Sequence, residues 1–179
     1  RKVANDDRAD WAAAWELFPG DVIYSWHPAG ATSIIHAEAL MNAGFVLRMQ
    51  IIWAKPHMPI GRGDYHVQHE PCWYAVREGR PARRNDDRTQ STLWEIAPDH
   101  SVAGGHSTQK PLECMARPIR NHITSEVYDP FLGSGTTMVA AEQLGRICHA
   151  MEILPEYVAV ALQRMADLGL GPRLVQQGE

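Results

Sequence analysis

The stretch 128–145, with the sequence YDPFLGSGTTMVAAEQLG, constrains the fold of this chain more than any other segment. It begins inside a predicted strand at 126–131 and continues into a predicted helix at 136–145, and a second strand is predicted at 147–153. Strand, glycine loop, helix and strand in this order form a βαβ unit, in which the two strands run parallel. We therefore predict an α/β fold.

The N-terminal half also alternates helices and strands, but long loops separate them. Residues 78–92 and 97–108 are loop-like, and a short apolar piece, LWEI at 93–96, separates them. The further elements predicted from apolar spacing and β-forming residues are helices at 10–18 and 33–44 and strands at 21–27, 48–55 and 71–77.

Local signals bound several helices. Ser33 is expected to cap the helix that it begins, and Gly44 is expected to end that helix in the left-handed conformation. Pro118 lies inside a predicted helix at 110–123 and should kink or end it, because proline lacks the N–H that the helix needs. Pro155 is expected to open a final helix, since proline is tolerated in a first turn.

Composition excludes several classes of protein. The 179 residues carry a net charge of −4, so the chain as a whole is not a cationic nucleic-acid binder. Length and a hydrophobic fraction of 45% predict one domain over 1–179. No apolar run approaches the roughly 20 residues that span a bilayer, and the polar N-terminus lacks the apolar core of a signal peptide. We therefore expect a cytoplasmic protein with no membrane partner.

Cysteine and histidine spacing gives no metal site. The three cysteines are widely spaced, and no pair has the C-x-x-C spacing of zinc or redox sites. His66 and His69 form an H-x-x-H pair with His57 before it, but no further cluster of ligands accompanies them. We therefore predict that the chain holds no metal.

The glycine loop lies at the carboxyl end of its strand, where α/β sheets bind ligands. Gly133 and Gly135 allow a ligand to approach the backbone, because no Cβ intervenes. Glu152 follows the loop by roughly 20 residues, at the end of the next strand, where an acid can accept ribose hydroxyls. These features predict a cofactor that contains a nucleoside.

The residues around the loop discriminate between nucleoside cofactors. Met138 replaces the third glycine of a dinucleotide-binding fingerprint, and Thr136 stands where a P-loop has its lysine. Asp129 would repel phosphates and would suit an amine or a cation. S-adenosylmethionine, which carries a sulfonium, an amine and a ribose but no phosphate, fits best. A nicotinamide-dependent oxidoreductase, or a strand–helix turn that uses glycine only for packing, stays open.

Several motifs together resemble one family. DPFLGSGTT (129–137), HSTQKPLECM (106–115) and EILPEYVAVALQRM (152–165) are similar to the cofactor half of β-class DNA amino-methyltransferases, which modify adenine N6 or cytosine N4. IIWAKP (51–56) and HEPCWYAVREG (69–79) resemble two antiparallel strands that close their sheet. The resemblance implies a Rossmann-like fold with a mixed central sheet and flanking helices. It also implies site-specific DNA methylation, as in restriction-modification, with adenine N6 favoured over cytosine N4.

The resemblance assigns the cofactor to the half at 106–169. Asp129 and Phe131 would line its methionine and adenine ends, and Glu152 would bind its ribose. The segment 106–110 would hold the amino-acid tail, whose carboxylate would be favoured by the dipole of the helix that starts at 136. The cofactor-binding residues implied in this way are His106, Thr108, Gln109, Lys110, Asp129, Phe131, Gly133, Ser134, Gly135, Thr136, Thr137 and Glu152.

One family motif is missing. The family holds the target amine with a tetrapeptide of the type Asp/Asn/Ser-Pro-Pro-aromatic, and Asp129-Pro130-Phe131 lacks its second proline. We therefore expect no catalytic residue in this chain and an incomplete sheet that lacks the strand of the motif, between the strands at 126–131 and 21–27. An N-terminal part or a second chain would complete the sheet, or the protein is a pseudo-methyltransferase; a homodimer also stays open.

The resemblance further implies double-stranded DNA as the partner, with the target base flipped out of the helix. Target-recognition loops are expected within 57–105. A non-catalytic nucleic-acid-binding partner stays open as an alternative, as does RNA. The residues expected to contact DNA are Arg62, Asp64, His66, Arg83, Arg84 and Arg88.

Overall fold

The computed structural model describes residues 10–58, 60–98, 109–173 and 175. The chain divides into two compact units, over 1–98 and 99–179. No helix in the described part of the chain is long and apolar enough to cross a bilayer. The helices are α1 (Ala12–Glu16), α2 (Thr32–Asn42), α3 (Leu112–Asn121), α4 (Thr136–Gln143) and α5 (Pro155–Asp167). The strands are β1 (Val22–Trp26), β2 (Phe45–Ala54), β3 (His69–Arg77), β4 (Leu93–Glu95), β5 (Glu126–Asp129) and β6 (Ile147–Ala150).

The N-terminal unit contains a four-stranded mixed sheet in the order β1-β3-β2-β4. Strand β3 runs antiparallel to both β1 and β2, as expected for a closing hairpin, and β4 runs parallel to β2. The strands β1, β2 and β4 therefore end at one edge of the sheet, which we call the carboxyl-end edge. Strand β4 lies in the apolar piece LWEI, to which the sequence assigned no secondary structure; it has three residues, and its pairing is distant in sequence.

A bulge in β2 changes which side of the sheet its residues face. The register against β3 shifts between Leu47 and Met49. Before the shift, Phe45 packs into a core with α1 and α2. After it, Trp53 is buried against the edge of the Trp26 ring, at 6.4 Å between centroids. Because the side-chain period of a strand is two, the extra residue lets one strand bury side chains on both faces of the sheet.

Helix α2 ends as predicted but begins differently. Gly44 follows it with φ +83°, the left-handed conformation that commonly ends a helix. Ser33 is not its cap: the N-cap is Ala31, which makes no side-chain hydrogen bond. The Ser33 N–H instead donates to the carbonyl of Gly30, whose φ of +96° forms the turn that leads into the helix.

The C-terminal unit contains the predicted βαβ arrangement. Strands β5 and β6 pair in parallel from Glu126 opposite Ile147 to Asp129 opposite Ala150. Helices α3 and α4 contribute a core beside them through Ala116, Ile119, Ala140 and Ala141. In the described part of the chain, β5 pairs only with β6, and β1 pairs only with β3. Each of these two strands is thus an edge strand in its own sheet.

The sequence predicts that Pro118 kinks or ends α3, and the structure shows that the helix does not end there. It continues to Asn121, with Cys114 and Ile119 buried on either side of the proline. A proline inside a helix costs about 3 kcal/mol, and most helix stability in proteins comes from the packing of an apolar face. The buried face of α3 therefore accounts for its continuation.

Candidate functional site

The glycine loop between β5 and α4 is attached to the chain that follows β6. The Met151 N–H donates to the Asp129 carbonyl, and the Leu132 N–H donates to the Met151 carbonyl, each at 3.0 Å. Asp129 Oδ1 also accepts the Phe131 N–H at 2.9 Å, a turn typical of aspartate. This arrangement leaves the Phe131 side chain 46% exposed at the start of the loop.

The two loop glycines have different reasons to be glycine. Both have positive φ angles, +56° at Gly133 and +84° at Gly135. A Cβ at Gly135 would lie 2.8 Å from the Cβ of Ala161 on α5, so close packing requires glycine there. A Cβ at Gly133 would meet nothing within 4 Å. Packing therefore explains Gly135, whereas Gly133 borders open space that a ligand can enter.

Glu152 holds the loop through both of its carboxylate oxygens. Oε2 accepts the N–H of Gly133, and Oε1 accepts the N–H of Leu154, each at 2.8 Å. Leu154 is the N-cap of α5, so one carboxylate joins the glycine loop to the start of that helix. A carboxylate has about four acceptor positions. Two stay available for hydroxyl groups such as those of a ribose.

Arg164 is a loop contact that the sequence reasoning did not assign. Its Nη1 donates to the Ser134 carbonyl at 2.8 Å and to Thr136 Oγ1 at 3.2 Å. Ala161 and Arg164 both belong to the segment EILPEYVAVALQRM, and their spacing there was the available signal. Glu152, Ala161 and Arg164 together bring β6 and α5 against the glycine loop.

The remaining predicted cofactor residues fall into three groups. Thr136 and Thr137 are buried at the start of α4. Because the first N–H groups of a helix have no intrahelical acceptor, a ligand at this end of α4 would meet backbone N–H groups. Gln109 and Lys110 are half-buried, directly before α3. His106 and Thr108 lie outside the described residues.

Cys148 on β6 is not a nucleophile at neutral pH. Burial, together with the negative charge of Asp129, raises the pKa of its thiol to about 11. Since the thiolate is the reactive form of cysteine, this residue contributes to packing. Within the described residues, no three His, Cys, Asp or Glu side chains converge to hold a metal ion.

The six predicted DNA contacts belong to two segments that adjoin opposite ends of β3. Arg62, Asp64 and His66 lie on the β2–β3 loop, at the carboxyl-end edge, and all three are exposed. Arg83, Arg84 and Arg88 lie on the segment that leaves the other end of β3. The structure therefore does not bring the six together.

The segment after β3 is shaped by its own contacts. Asp21, directly before β1, is 3.1 Å from Arg80 Nε and 4.0 Å from Arg83 Nε. Arg83 has a φ of +46°, and no other non-glycine residue in the described ranges has a positive φ. The Asp87 carboxylate accepts hydrogen bonds from Thr89 and Gln90, and these bonds lower its pKa to about 2. This segment is a structured turn rather than a plain solvated loop.

The N-terminal unit also contains a buried polar cluster that the sequence reasoning missed. His27, directly after β1, is 5% exposed and stacks on Trp73 at 5.3 Å between centroids. Its Nδ1 lies 3.0 Å from the Pro28 carbonyl, which can only accept, so Nδ1 carries the proton. Ser25 Oγ and His36 Nε2 form a buried hydrogen bond of 2.6 Å beside it. In the described part of the chain, His27 Nε2 has no hydrogen-bond partner.

Acid should destabilise the fold through His27. Burial lowers the pKa of His27 from its ordinary 6.5, so the folded state favours the neutral imidazole. This stabilisation is complete above pH 6.5 and is lost as the pH falls through the folded-state pKa, because the unfolded chain binds the proton first. We expect urea unfolding of His27→Phe to show a smaller loss of stability than wild type between about pH 6.5 and 5. Exposed His57, on the β2–β3 loop of the same unit, provides the control: His57→Gln should follow wild type, and identical pH profiles for His27→Phe and wild type would contradict the assignment.

Comparison with known proteins gives a consistent family. A family model described as DNA methylase, of the N6/N4 type, matches residues 19–163. The chain is 32% identical over 146 residues to the type II methyltransferase M.SmaI of Serratia marcescens. The aligned region covers 72% of this chain and 49% of that protein. It is 34% identical over 146 residues to the type II methyltransferase M.Cfr9I of Citrobacter freundii, and this alignment covers 72% of the present chain and 47% of M.Cfr9I. The chain spans about half the length of the curated relatives that it matches.

The fold agrees with that family. The crystal structure of the M1.HpyAVI–SAM complex matches with a TM-score of 0.75 and 27% identity, covering 92% of this chain and 85% of the other. This likeness confirms the predicted α/β methyltransferase fold with a mixed sheet. Since the family model matches well over half of the residues, the chain belongs to the DNA methylase family of the N6/N4 type.

Proposed function

We propose that this protein takes part in the transfer of a methyl group from S-adenosylmethionine to the exocyclic amine of a DNA base. The observation that carries the proposal is the open side of Gly133 in a loop that Glu152 holds by two backbone hydrogen bonds. Adenine N6 is the acceptor that we favour, with cytosine N4 second. Membership of the N6/N4 family and the likeness to an SAM complex support this choice of chemistry.

The residues around the loop fit S-adenosylmethionine. Gly133 leaves room beside the backbone, the exposed Phe131 ring offers an apolar face, and Glu152 has acceptor positions left for ribose hydroxyls. Asp129 offers a negative charge for an amine, and no lysine or arginine of the loop invites a phosphate. When bound, the cofactor supplies a methyl group on a positively charged sulfur. The residues of this chain bind and orient that group.

The acceptor side of the reaction requires more than these 179 residues. The sequence contains no Pro-Pro pair, so the tetrapeptide that holds the amine in the resembling family is absent. We propose that an additional segment or a second chain supplies it, and a homodimer is one such arrangement. The strands β1 and β5 are each at the edge of their sheet in the described ranges, which supports this idea, because edge strands accept further strands.

Double-stranded DNA with the target base flipped out is the proposed substrate, since a paired exocyclic amine is inaccessible. The type II methyltransferases among the relatives support a restriction-modification setting, which would place the protein in the cytoplasm. The second candidate function is a non-catalytic nucleic-acid-binding partner, and the missing Pro-Pro pair is the observation that favours it.

Ligand binding tests the cofactor assignment. S-adenosylhomocysteine should raise the thermal midpoint, because a ligand that binds only the folded state stabilises it, whereas NAD should leave it unchanged. Phe131→Ala should reduce the shift, and Ile123→Ala, at an exposed site before β5 and away from the loop, should not. Stabilisation by NAD alone would favour an oxidoreductase and contradict the proposal.

Product analysis tests the reaction. The 179-residue chain is incubated with labelled cofactor and duplex DNA, and the digested nucleosides are separated. We expect negligible transfer by the chain alone and labelled N6-methyladenine once the segment with the tetrapeptide is supplied. Labelled N4-methylcytosine would select the second acceptor. Robust transfer by the chain alone would refute the absence of the acceptor-binding residues, and no transfer in either case would favour the non-catalytic partner.

A further inference from the structure

The β2–β3 loop displays large apolar side chains to solvent. Ile60 is 89% exposed and Tyr65 is 88% exposed, and Met58 and Val67 are each 54% exposed. Single exposed apolar residues are ordinary, but a contiguous exposed set marks an interaction site. The same loop carries three of the predicted polar DNA contacts, so its apolar members were not part of that prediction.

Hydrogen bonds give this loop a defined shape. At its base, the Lys55 N–H donates to the Gln68 carbonyl at 2.9 Å, and Gln68 Nε2 donates to the Lys55 carbonyl at 3.0 Å. Farther out, the Gly61 N–H donates to His66 Nδ1 at 3.0 Å. His66, predicted to contact DNA, thus holds the loop while the side chain of its neighbour Tyr65 points into solvent.

Electrostatic attraction alone does not explain a DNA-contacting role for the loop. Between 56 and 68, Arg62 is matched by Asp64, and no other lysine, arginine or acid occurs. At the base of the loop, Lys55 pairs with Glu70 at 2.7 Å. The exposed apolar and aromatic side chains are therefore the feature of this loop that could add most to a contact with a nucleic acid.

We propose that Tyr65, supported by Ile60, enters the base stack of DNA at the place that a flipped base leaves empty. The inference rests on the proposed function, because flipping creates the gap. A gap in a stack is bounded by two flat apolar base faces, and an aromatic ring fills it without needing charge. The loop lies at the carboxyl-end edge of its sheet, where α/β proteins bind their ligands. DNA is preferred over a protein partner because Arg62, exposed on the same loop, supplies a cation that can contact a phosphate.

The test measures binding of the protein to two duplexes, one intact and one with an abasic site, by fluorescence anisotropy. We expect wild type to prefer the abasic duplex, and Tyr65→Ala to lose about 5- to 150-fold in affinity for it. Tyr65→Phe should keep the preference, because the ring face is retained. Met41→Ala, an exposed apolar residue on α2, is the matched control and should bind like wild type.

Two further readouts separate stacking from charge and from folding. A 2-aminopurine beside the abasic site should lose fluorescence with wild type and Tyr65→Phe but not with Tyr65→Ala. The salt dependence of binding should be unchanged in Tyr65→Ala and reduced by about one unit of slope in Arg62→Ala. Arg83→Ala with Arg84→Ala shows whether the segment at the far end of β3 also contacts phosphates.

The outcomes distinguish failure of the Tyr65 hypothesis from failure of the proposed methyl transfer to DNA. If Tyr65→Ala keeps the abasic preference and the quenching, the insertion of Tyr65 into the base stack is refuted while the proposed function stands. If wild type binds neither duplex even when the segment with the tetrapeptide is supplied, the proposed function fails with it. If Tyr65→Ala changes only self-association, measured by light scattering, the loop contacts a second copy of the chain. The insertion of Tyr65 into the base stack is then also refuted.

Discussion

Replacing Gly135 with alanine should lower the free energy of unfolding by about 2 to 4 kcal/mol. The left-handed backbone at φ +84° costs an L-residue energy, and the new Cβ would stand 2.8 Å from that of Ala161. Because the clash is with a short side chain on a packed helix, the loop or α5 has to move. Urea denaturation measures the loss, and the thermal shift with S-adenosylhomocysteine should disappear with it.

Gly133→Ala is the matched control for that experiment. Its φ of +56° carries a similar backbone cost, but a Cβ there meets nothing within 4 Å. We expect about 1 kcal/mol of destabilisation together with weaker binding of S-adenosylhomocysteine, because the methyl group would occupy the open space. Equal loss of stability in the two variants would contradict the packing argument for Gly135.

Replacing Glu152 with glutamine should weaken S-adenosylhomocysteine binding by about 10- to 100-fold and cost about 1 to 3 kcal/mol of stability. The carboxylate accepts the N–H groups of Gly133 and Leu154 through different oxygens. An amide provides one oxygen, so one backbone N–H would face a donor instead. Isothermal titration calorimetry measures the affinity, and urea denaturation measures the stability.

Glu142→Gln is the control for Glu152→Gln, since Glu142 is an exposed acid on α4 of the same unit. It removes the same charge without touching the loop and should leave both quantities unchanged. Wild-type affinity in Glu152→Gln would show that neither the loop geometry nor the ribose depends on this carboxylate.

The sequence predicted the C-terminal unit well because its signals are local. Gly133, Gly135 and Gly145 punctuate a strand, a helix and a strand within a short stretch, and the structure has each element close to its predicted place. The motif spacing also identified the family. The roles of Ala161 and Arg164 were missed because they depend on which face of α5 meets the loop, which is a tertiary contact.

Elements that depend on distant residues were harder to predict. Strand β4 has three residues and exists because it pairs with β2, whose residues Ile52–Ala54 lie far earlier in the chain. The six candidate DNA contacts were assigned to two loops from the family resemblance, and only the structure shows that these loops adjoin opposite ends of β3. Arg62, Asp64 and His66 were predicted as DNA contacts because they are polar, whereas Tyr65 was not predicted because its exposure is visible only in the structure.

The bulge in β2 makes one residue of that strand dispensable to its pairing. Leu47 pairs with Ala75 and Met49 with Tyr74, which are adjacent in β3, so Arg48 is the extra residue. Removing it would restore an uninterrupted ladder and leave Phe45 opposite Arg77 and Trp53 opposite Glu70, so that each keeps its face of the sheet. Drift in this segment should consequently tolerate a deletion at 48, whereas a one-residue slip in the pairing of the second half of the strand would turn Trp53 to the other face.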